Sequence, residues 1–401
     1  MERPRVAHII TRLILGGAQE NTLYTVIGQQ RDYDVTLIIG VDDGTEGTLR
    51  DHATAANVHL IVVPTLVRPI RPLTDLRALA TLVRLLRAGS YDVVHTHSSK
   101  AGILGRIAAR LAGVPVVVHT LHSLVFHEYQ VRWKNALYVW LKKRCAPMAD
   151  LIIAVNDQTV RGAIAAGIGR PEQYVTIYSG IELDRFLTVR ERLQPSEAKR
   201  RFGIPEDAAV VGKIARLFPL KGHEQFLLAA AEIARLNPRA WFLLVGDGPL
   251  RADLEQRIVE LGLRGRAVFT GRVPPDEVPE CIQAMDVVVH TSLREGIARV
   301  LPQAGAVGKP IVTFELDGAP EVVKDGVSGY LVPPLDTSLL ARRTAELLGD
   351  PPLRARMGEA GRQFAERNFS VECMVARINE QYERLLAARA CPTMANVSRS
   401  R

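Results

Sequence analysis

Short apolar runs rich in Val and Ile recur along the chain, separated by stretches of helical spacing. Runs of that length bounded by turn residues predict buried strands. They fall at Val6–Ile10, Asp34–Ile39, Val58–Val63, Asp92–Thr96, Pro115–Thr120, Leu151–Val155 and Val175–Tyr178. Helices are predicted between them, among them one from the pair Gly16-Gly17 to about Gln30, and others over Leu73–Leu86 and Ala101–Leu111. Residues 190–207 are charged, lack either period and carry a proline, so they read as a linker. The alternation then restarts, with strands at Val210–Ala215, Trp241–Val245, Ala267–Thr270, Asp286–His290 and Ile311–Phe314. Helices are expected to start near Gly222, Pro249, Asp276 and Gly296. Ser370 to about Ala390 reads as one long helix, and the small polar residues after Cys391 are expected to be disordered. Strands alternating with helices predict parallel, doubly wound sheets. The expectation is therefore an α/β protein of two such domains, residues 1–189 and 208–369, with a C-terminal helix over 370–390.

Composition agrees and narrows the partners. A chain of 401 residues is too long for one ordinary core. Its 47% hydrophobic and 23% charged content fits a folded soluble protein. The net charge of +8 is compatible with nucleic acid, an anionic lipid surface or a phosphorylated substrate. No long arginine-rich block or nucleic-acid motif accompanies it, so nucleic acid ranks last. Cys145, Cys281, Cys373 and Cys391 form no metal-binding spacing, which predicts a reduced, cytoplasmic chain. Arg12 and two glycines interrupt the first apolar run, so no signal peptide is expected, and no apolar run is long enough to span a bilayer.

Candidate chemistry gathers where strands end and helices begin, the position at which doubly wound sheets bind ligands. Arg216 and Lys221 follow a strand and precede a helix; a planar fork and a point charge there can grip a diphosphate from two sides. Glu295, beside Gly296 and Ile297, sits after another strand at the expected start of a helix. Pro302 lies inside that helix and should remove one ladder bond. The turns Gly246-Asp247-Gly248 and Gly271-Arg272-Val273 are further strand ends. In the first domain, Gly17 belongs to a glycine pair able to approach a phosphate. His95, His97, His119, His122 and His127 read as loop residues at strand ends, with no metal site expected among them. Ser98-Ser99-Lys100 precedes a helix and is a candidate for an acceptor phosphate. A basic stretch from Tyr129 to Arg144 carries Trp133 and Trp140, a composition suited to an anionic lipid surface.

The stretch from Ser292 through Glu295-Gly296 and Gln303-Ala304 to Gly308-Lys309-Pro310 resembles the signature of retaining glycosyltransferases of the GT-B architecture, family 4 (glycosyl transferases group 1). The family pattern has a second Glu where this chain has Gln303. The resemblance implies two Rossmann-like doubly wound domains facing across a cleft, with the last helix returning to the first domain. It assigns Arg216 and Lys221 to the donor diphosphate, Glu295 to the donor sugar hydroxyls, and Gly296 and Ile297 to phosphate or sugar. Gly246 and Asp247 fall near the nucleotide, and Arg272 and Val273 near the base. Gln303 takes the ribose contact with a neutral amide in place of a carboxylate. His122 matches a family histidine that touches the donor sugar or the charge developing at the reacting carbon.

The implied activity is transfer of a sugar from a nucleotide-sugar, UDP- or GDP-linked, to an acceptor hydroxyl, without metal or cofactor. A lipid-linked saccharide at the inner face of the cell membrane is the expected acceptor, as in polysaccharide assembly. A nucleotide-sugar 2-epimerase of the same architecture and a non-catalytic nucleotide-sugar-binding protein stand as alternatives.

Overall fold

The computed structural model describes residues 3–41, 47–124, 126 and 131–390. His127, Tyr129 and the tail from Cys391 lie outside them. The chain divides into two units, one of Met1–Gly180 with Val371–Arg401 and one of Ile181–Ser370.

The first unit is built on β1 (Arg5–Ile10), β2 (Asp34–Ile39), β3 (His59–Val62), β4 (Val93–His97), β5 (Val116–Leu121), β6 (Leu151–Ala154) and β7 (Tyr174–Thr176). All pairings are parallel, in the order β3-β2-β1-β4-β5-β6-β7. Each crossover therefore needs a connection over a sheet face, which the helices supply. Burial on both faces explains the near-continuous apolar runs. On one face Val6, Ile10, Leu37 and Val118 pack with Leu23, Val26 and the helix Val371–Ala390, whose Met374, Ile378 and Tyr382 are buried. On the other, Ile9, Ile38, Val94 and Val117 meet Ala78, Leu82 and Ala108.

The second unit comprises β8 (Ala209–Ile214), β9 (Ala240–Val245), β10 (Ala267–Gly271), β11 (Val287–His290), β12 (Ile311–Phe314) and β13 (Gly329–Val332), ordered β10-β9-β8-β11-β12-β13. It differs from expectation at its start. Residues 190–207 are not an open linker: the helices Val189–Arg192 and Pro195–Arg201 fall there, and the division comes earlier, at Gly180. The charge in this stretch serves as an anchor. Lys199 Nζ donates to the Ala208 carbonyl at 2.8 Å and pairs with Asp286 at 3.0 Å. Ile181 N–H bonds the Phe369 carbonyl at 2.8 Å. β13 was not expected; its run Gly329-Tyr-Leu-Val is short and pairs in parallel with β12.

The histidines differ more. His95 and His97 lie within β4 and His119 within β5, all buried, rather than in loops. His8 from β1 joins His95 and His97 on the face covered by the C-terminal helix, whereas His119 points to the opposite face, against Thr96 and Gly102. His8 Nδ1 lies 3.0 Å from His97 Nε2, and His8 Nε2 lies 2.8 Å from Gln29 Oε1. His95 reaches the Tyr382 hydroxyl at 2.5 Å and Thr120 Oγ1 at 2.6 Å. Each imidazole thus has polar partners, as burial demands. The ligating nitrogens of His8, His95 and His97 all fall within 4.8 Å of one another, so the fold assembles a trio of imidazoles that the sequence spacing did not reveal.

Burial disfavours the charged ring and lowers His8 and His122 from 6.5 to about 4, with His95 and His97 also held well below their ordinary value. Between about pH 4 and 6.5 the unfolded chain therefore binds more protons than the folded one, and stability present above that window is lost as pH falls through it. The urea midpoint of the full chain should drop as pH is lowered from 7 to 4.5, and His8→Asn should flatten that slope. An equal slope in the variant would mean that other groups carry the acid sensitivity.

Candidate active site

In each unit the strand order reverses once, between β1 and β4 and between β8 and β11. Loops leaving neighbouring strands on opposite sides of the reversal run to opposite faces, which opens a crevice at the carboxyl edge. The sequence-predicted residues fall at these edges.

In the second unit the loop after β8 bears Arg216, exposed, with its guanidinium 5.0 Å from the Phe218 ring centre. The same loop brings Lys221, half-buried, into an ion pair with Glu295 of the loop after β11. The diphosphate and sugar candidates thus hold each other. Ser292 Oγ shares its one proton between Glu295 Oε1 and the Leu220 carbonyl, each at 3.2 Å. The backbone N–H of Glu295 donates to Asp317 Oδ2 at 2.6 Å, and Arg294 pairs with Asp317 Oδ1 at 2.7 Å.

Glu295 does not begin a helix. The following helix is Val300–Val307, so the carboxylate stands in the loop before it, and Gly296 is buried with its carbonyl bonded to the Gly318 N–H at 3.0 Å. Pro302 falls in the first turn, where the missing N–H has no intrahelical partner, so the expected ladder defect does not arise. Ile297 is half-buried in the same loop, and Gln303 is half-buried on the helix.

The two loops are stitched together by backbone. Leu220 adopts φ 67°, and its carbonyl accepts from Leu293 N–H at 2.8 Å and Ser292 Oγ at 3.2 Å. Gly222, at φ 65°, caps the helix His223–Leu236; a Cβ there would lie 1.7 Å from the Thr291 carbonyl oxygen. Only glycine tolerates both the dihedral and the approach. On the other side, Leu217 N–H bonds the Asp247 carbonyl at 2.9 Å and Gly246 N–H bonds the Gly271 carbonyl at 3.0 Å. Gly246 and Asp247 therefore flank the Arg216 loop. Arg272 follows them exposed and Val273 half-buried.

Two contributors escaped sequence reasoning. Lys213 in β8 is buried, donates to Thr291 Oγ1 at 2.8 Å, and is lowered from 10.5 to about 7 by burial and by Lys221, against Glu295. Its signal was a lone cation inside Val210-Val-Gly-Lys-Ile. Asp317, at φ 51°, gave only a Leu-Asp-Gly turn. His223 Nε2 donates to the Arg216 carbonyl at 2.9 Å, fixing that loop from below; burial lowers its pKa to about 4.

In the first unit, Gly17 is exposed at the first position of the helix Gly17–Gln29. His122 is half-buried just after β5, with Nε2 at 3.3 Å from His97 Nδ1. The Ser98-Ser99-Lys100 stretch is already engaged: Thr11 Oγ1 lies 3.0 Å from Ser98 Oγ and 3.2 Å from the Ala101 N–H, and Lys100 pairs with Asp75 at 2.5 Å. The helix Arg132–Cys145 exposes Trp133 (63%), Leu137 (40%) and Trp140 (54%), positions that share one helical face, while Lys142 and Cys145 are buried. Among the described residues no helix is long and apolar enough to cross a membrane.

Comparison with known proteins identifies this arrangement. The family described as Glycosyl transferase 4-like domain matches residues 16–180, and Glycosyl transferases group 1 matches residues 195–364. The chain is 30% identical over 383 residues to the Escherichia coli UDP-Gal:alpha-D-GlcNAc-diphosphoundecaprenol alpha-1,3-galactosyltransferase, covering 94% of this chain and 96% of that one. It is 30% identical over 319 residues to the 2-deoxystreptamine glucosyltransferase of Streptomyces kanamyceticus, covering 77% and 81%. Its fold matches crystalline Anabaena HepE in complex with UDP and glucose with a TM-score of 0.80 and 26% identity, over 94% of this chain and 99% of that one. The chain belongs to the glycosyl transferases group 1 family: it is a glycosyltransferase of GT-B fold, built to transfer sugar from a nucleotide-sugar.

Proposed function

We propose that the protein is a retaining, metal-independent hexosyltransferase that uses a UDP-sugar and a lipid-diphosphate-linked saccharide acceptor. The observation that carries this reading is the Lys221–Glu295 pair at the strand-order reversal of the second unit, with Lys213 buried beneath it. A donor diphosphate exchanges for Glu295 as the partner of Lys221, and Arg216 adds a second cation. Released, Glu295 accepts hydrogen bonds from sugar hydroxyls while Asp317 holds its backbone. Gly246, Asp247, Arg272 and Val273 lie on strand-end loops suited to the nucleotide, and Gln303 offers the ribose an amide acceptor. Gly17 contributes an N–H to phosphate, and Gly296 and Ile297 approach the sugar. The UDP in the HepE complex and the UDP-Gal and diphosphoundecaprenol in the name of the Escherichia coli relative favour this donor and acceptor. The relatives being transferases favours transfer over the epimerase and binding-only readings.

The chemistry needs no covalent side-chain intermediate. The bond from the anomeric carbon to the leaving phosphate oxygen breaks, and the acceptor oxygen bonds the same carbon from the same face. The acceptor proton passes to the departing phosphate oxygen. Positive side chains placed where that charge develops lower the barrier electrostatically. His122 is assigned to a sugar hydroxyl. The exposed Trp133, Leu137 and Trp140 face, flanked by Lys134 and Arg144, lies on the headgroups of an anionic bilayer, peripheral to the inner face of the membrane.

Lys221→Ala should reduce transfer at least about a hundredfold with the thermal midpoint little changed, because one charge-stabilising contact is lost; near-normal turnover would remove the assigned grip. Product released in the presence of EDTA should form at an undiminished rate with the donor's anomeric configuration, read by proton NMR; inversion or chelator-sensitive turnover would refute the mechanism. Trp133→Ala with Trp140→Ala should weaken co-sedimentation with phosphatidylglycerol vesicles while leaving donor binding intact; equal sedimentation would free that face of a lipid role.

A further inference from the structure

The imidazoles behind His122 form a line of hydrogen bonds whose direction is set from one end. Asp32 carries only acceptors when ionised, so the contact at 3.2 Å between Asn379 Nδ2 and Asp32 Oδ2 has the amide donating. Asn379 then turns its carbonyl inward, where it accepts from Gln29 Nε2 at 2.8 Å. Gln29 in turn presents Oε1 to His8 Nε2 at 2.8 Å, an oxygen that can only accept, so His8 carries its proton on Nε2. A neutral His8 has a bare Nδ1, which lies 3.0 Å from His97 Nε2; that nitrogen therefore holds the proton of His97. The same step repeats once more. His97 Nδ1 accepts at 3.3 Å from His122 Nε2. All members belong to the first unit, and His8 and His97 are fully buried. Burial disfavours charge on all three rings, lowering each from its ordinary value.

We propose that Gln29, His8 and His97 are a positioning relay that fixes His122 as the Nε2–H tautomer, leaving its Nδ1 bare to accept a hydrogen bond from a hydroxyl of the sugar substrate. Among the described residues Nδ1 of His122 has no protein partner. The relay thus makes His122 an acceptor and not a donor: it suits a hydroxyl and is ill-suited to a phosphate oxygen. The second half of the inference rests on the assignment of His122 to the sugar; the first half does not. His95 stands outside the line, bonded to Tyr382 and Thr120 and packed against His97 with ring centres 4.2 Å apart.

The test is to label the full chain with nitrogen-15 histidine and read the protonated ring nitrogen of each residue by long-range proton–nitrogen correlation at pH 7. Peaks are assigned by single replacement. His8, His97 and His122 are expected to be neutral and protonated at Nε2. Gln29→Leu, which removes the acceptor, should leave His122 as a mixture of tautomers and lower kcat about tenfold at unchanged donor KM. Gln29→Glu keeps an acceptor facing His8 and should restore the wild-type tautomer. An Nδ1-protonated His122 in the wild type, an unchanged tautomer in Gln29→Leu, or a stoichiometric divalent cation bound to His8, His95 and His97 would each overturn the relay. Should Gln29→Leu not fold, the wild-type spectrum decides alone. Undiminished transfer by His122→Ala overturns the role of His122 toward the sugar, whereas the spectra judge the relay by themselves.

Discussion

The constraint on which the molecule depends is the single reversal of strand order in each parallel sheet. Parallel strands oblige every connection to cross a face, and one reversal forces two adjacent loops apart at the carboxyl edge. In the second unit those are the loops after β8 and β11, and they carry Lys221 and Glu295. In the first they follow β1 and β4, beside the loop after β5 that carries His122. Side chains far apart in sequence become neighbours because the sheet has run out of same-side connections, before any local preference is considered.

Electrostatics then separates the two units. The second gathers cations at its edge, with Lys213 buried beneath and strongly discouraged from charging. A buried amine next to Lys221 is unfavourable unless an anion is near, and Glu295 supplies that anion within the protein. The first unit gathers imidazoles whose charged form burial disfavours, with His8, His95, His97 and His122 each hydrogen-bonded to a neighbour. One edge is thus suited to compensating negative charge and the other to orienting hydroxyls.

The fold was legible in the sequence where burial on both faces produced long apolar runs, as in β1, β2, β5 and β9. β13 was missed because a short run such as Gly329-Tyr-Leu-Val owes its strand identity to the neighbour that pairs with it. Residues 190–207 read as a linker because they are charged, lack either period and carry a proline, whereas Lys199 is turned inward on Asp286. At the site, Arg216, Lys221 and Glu295 were legible as strand-end residues of opposite charge, but the pairing of Lys221 with Glu295, 74 positions away, was not. The histidines gave the opposite error. Their polarity argued for loops, yet their alternation, His95 and His97 two apart on one strand, is that of a single sheet face.

The glycine at 222 has a wider implication. With no room for even a methyl group between it and the Thr291 carbonyl, and with Leu220 bonded to Leu293, the backbone around Lys221 is clamped to its neighbour. Any change of partner by Lys221 must then be made by its own flexible stem, as a switch of rotamer. A rotamer switch is faster than a loop rearrangement, so the exchange of partner proposed for Lys221 would be a local event that leaves the backbone of this edge in place.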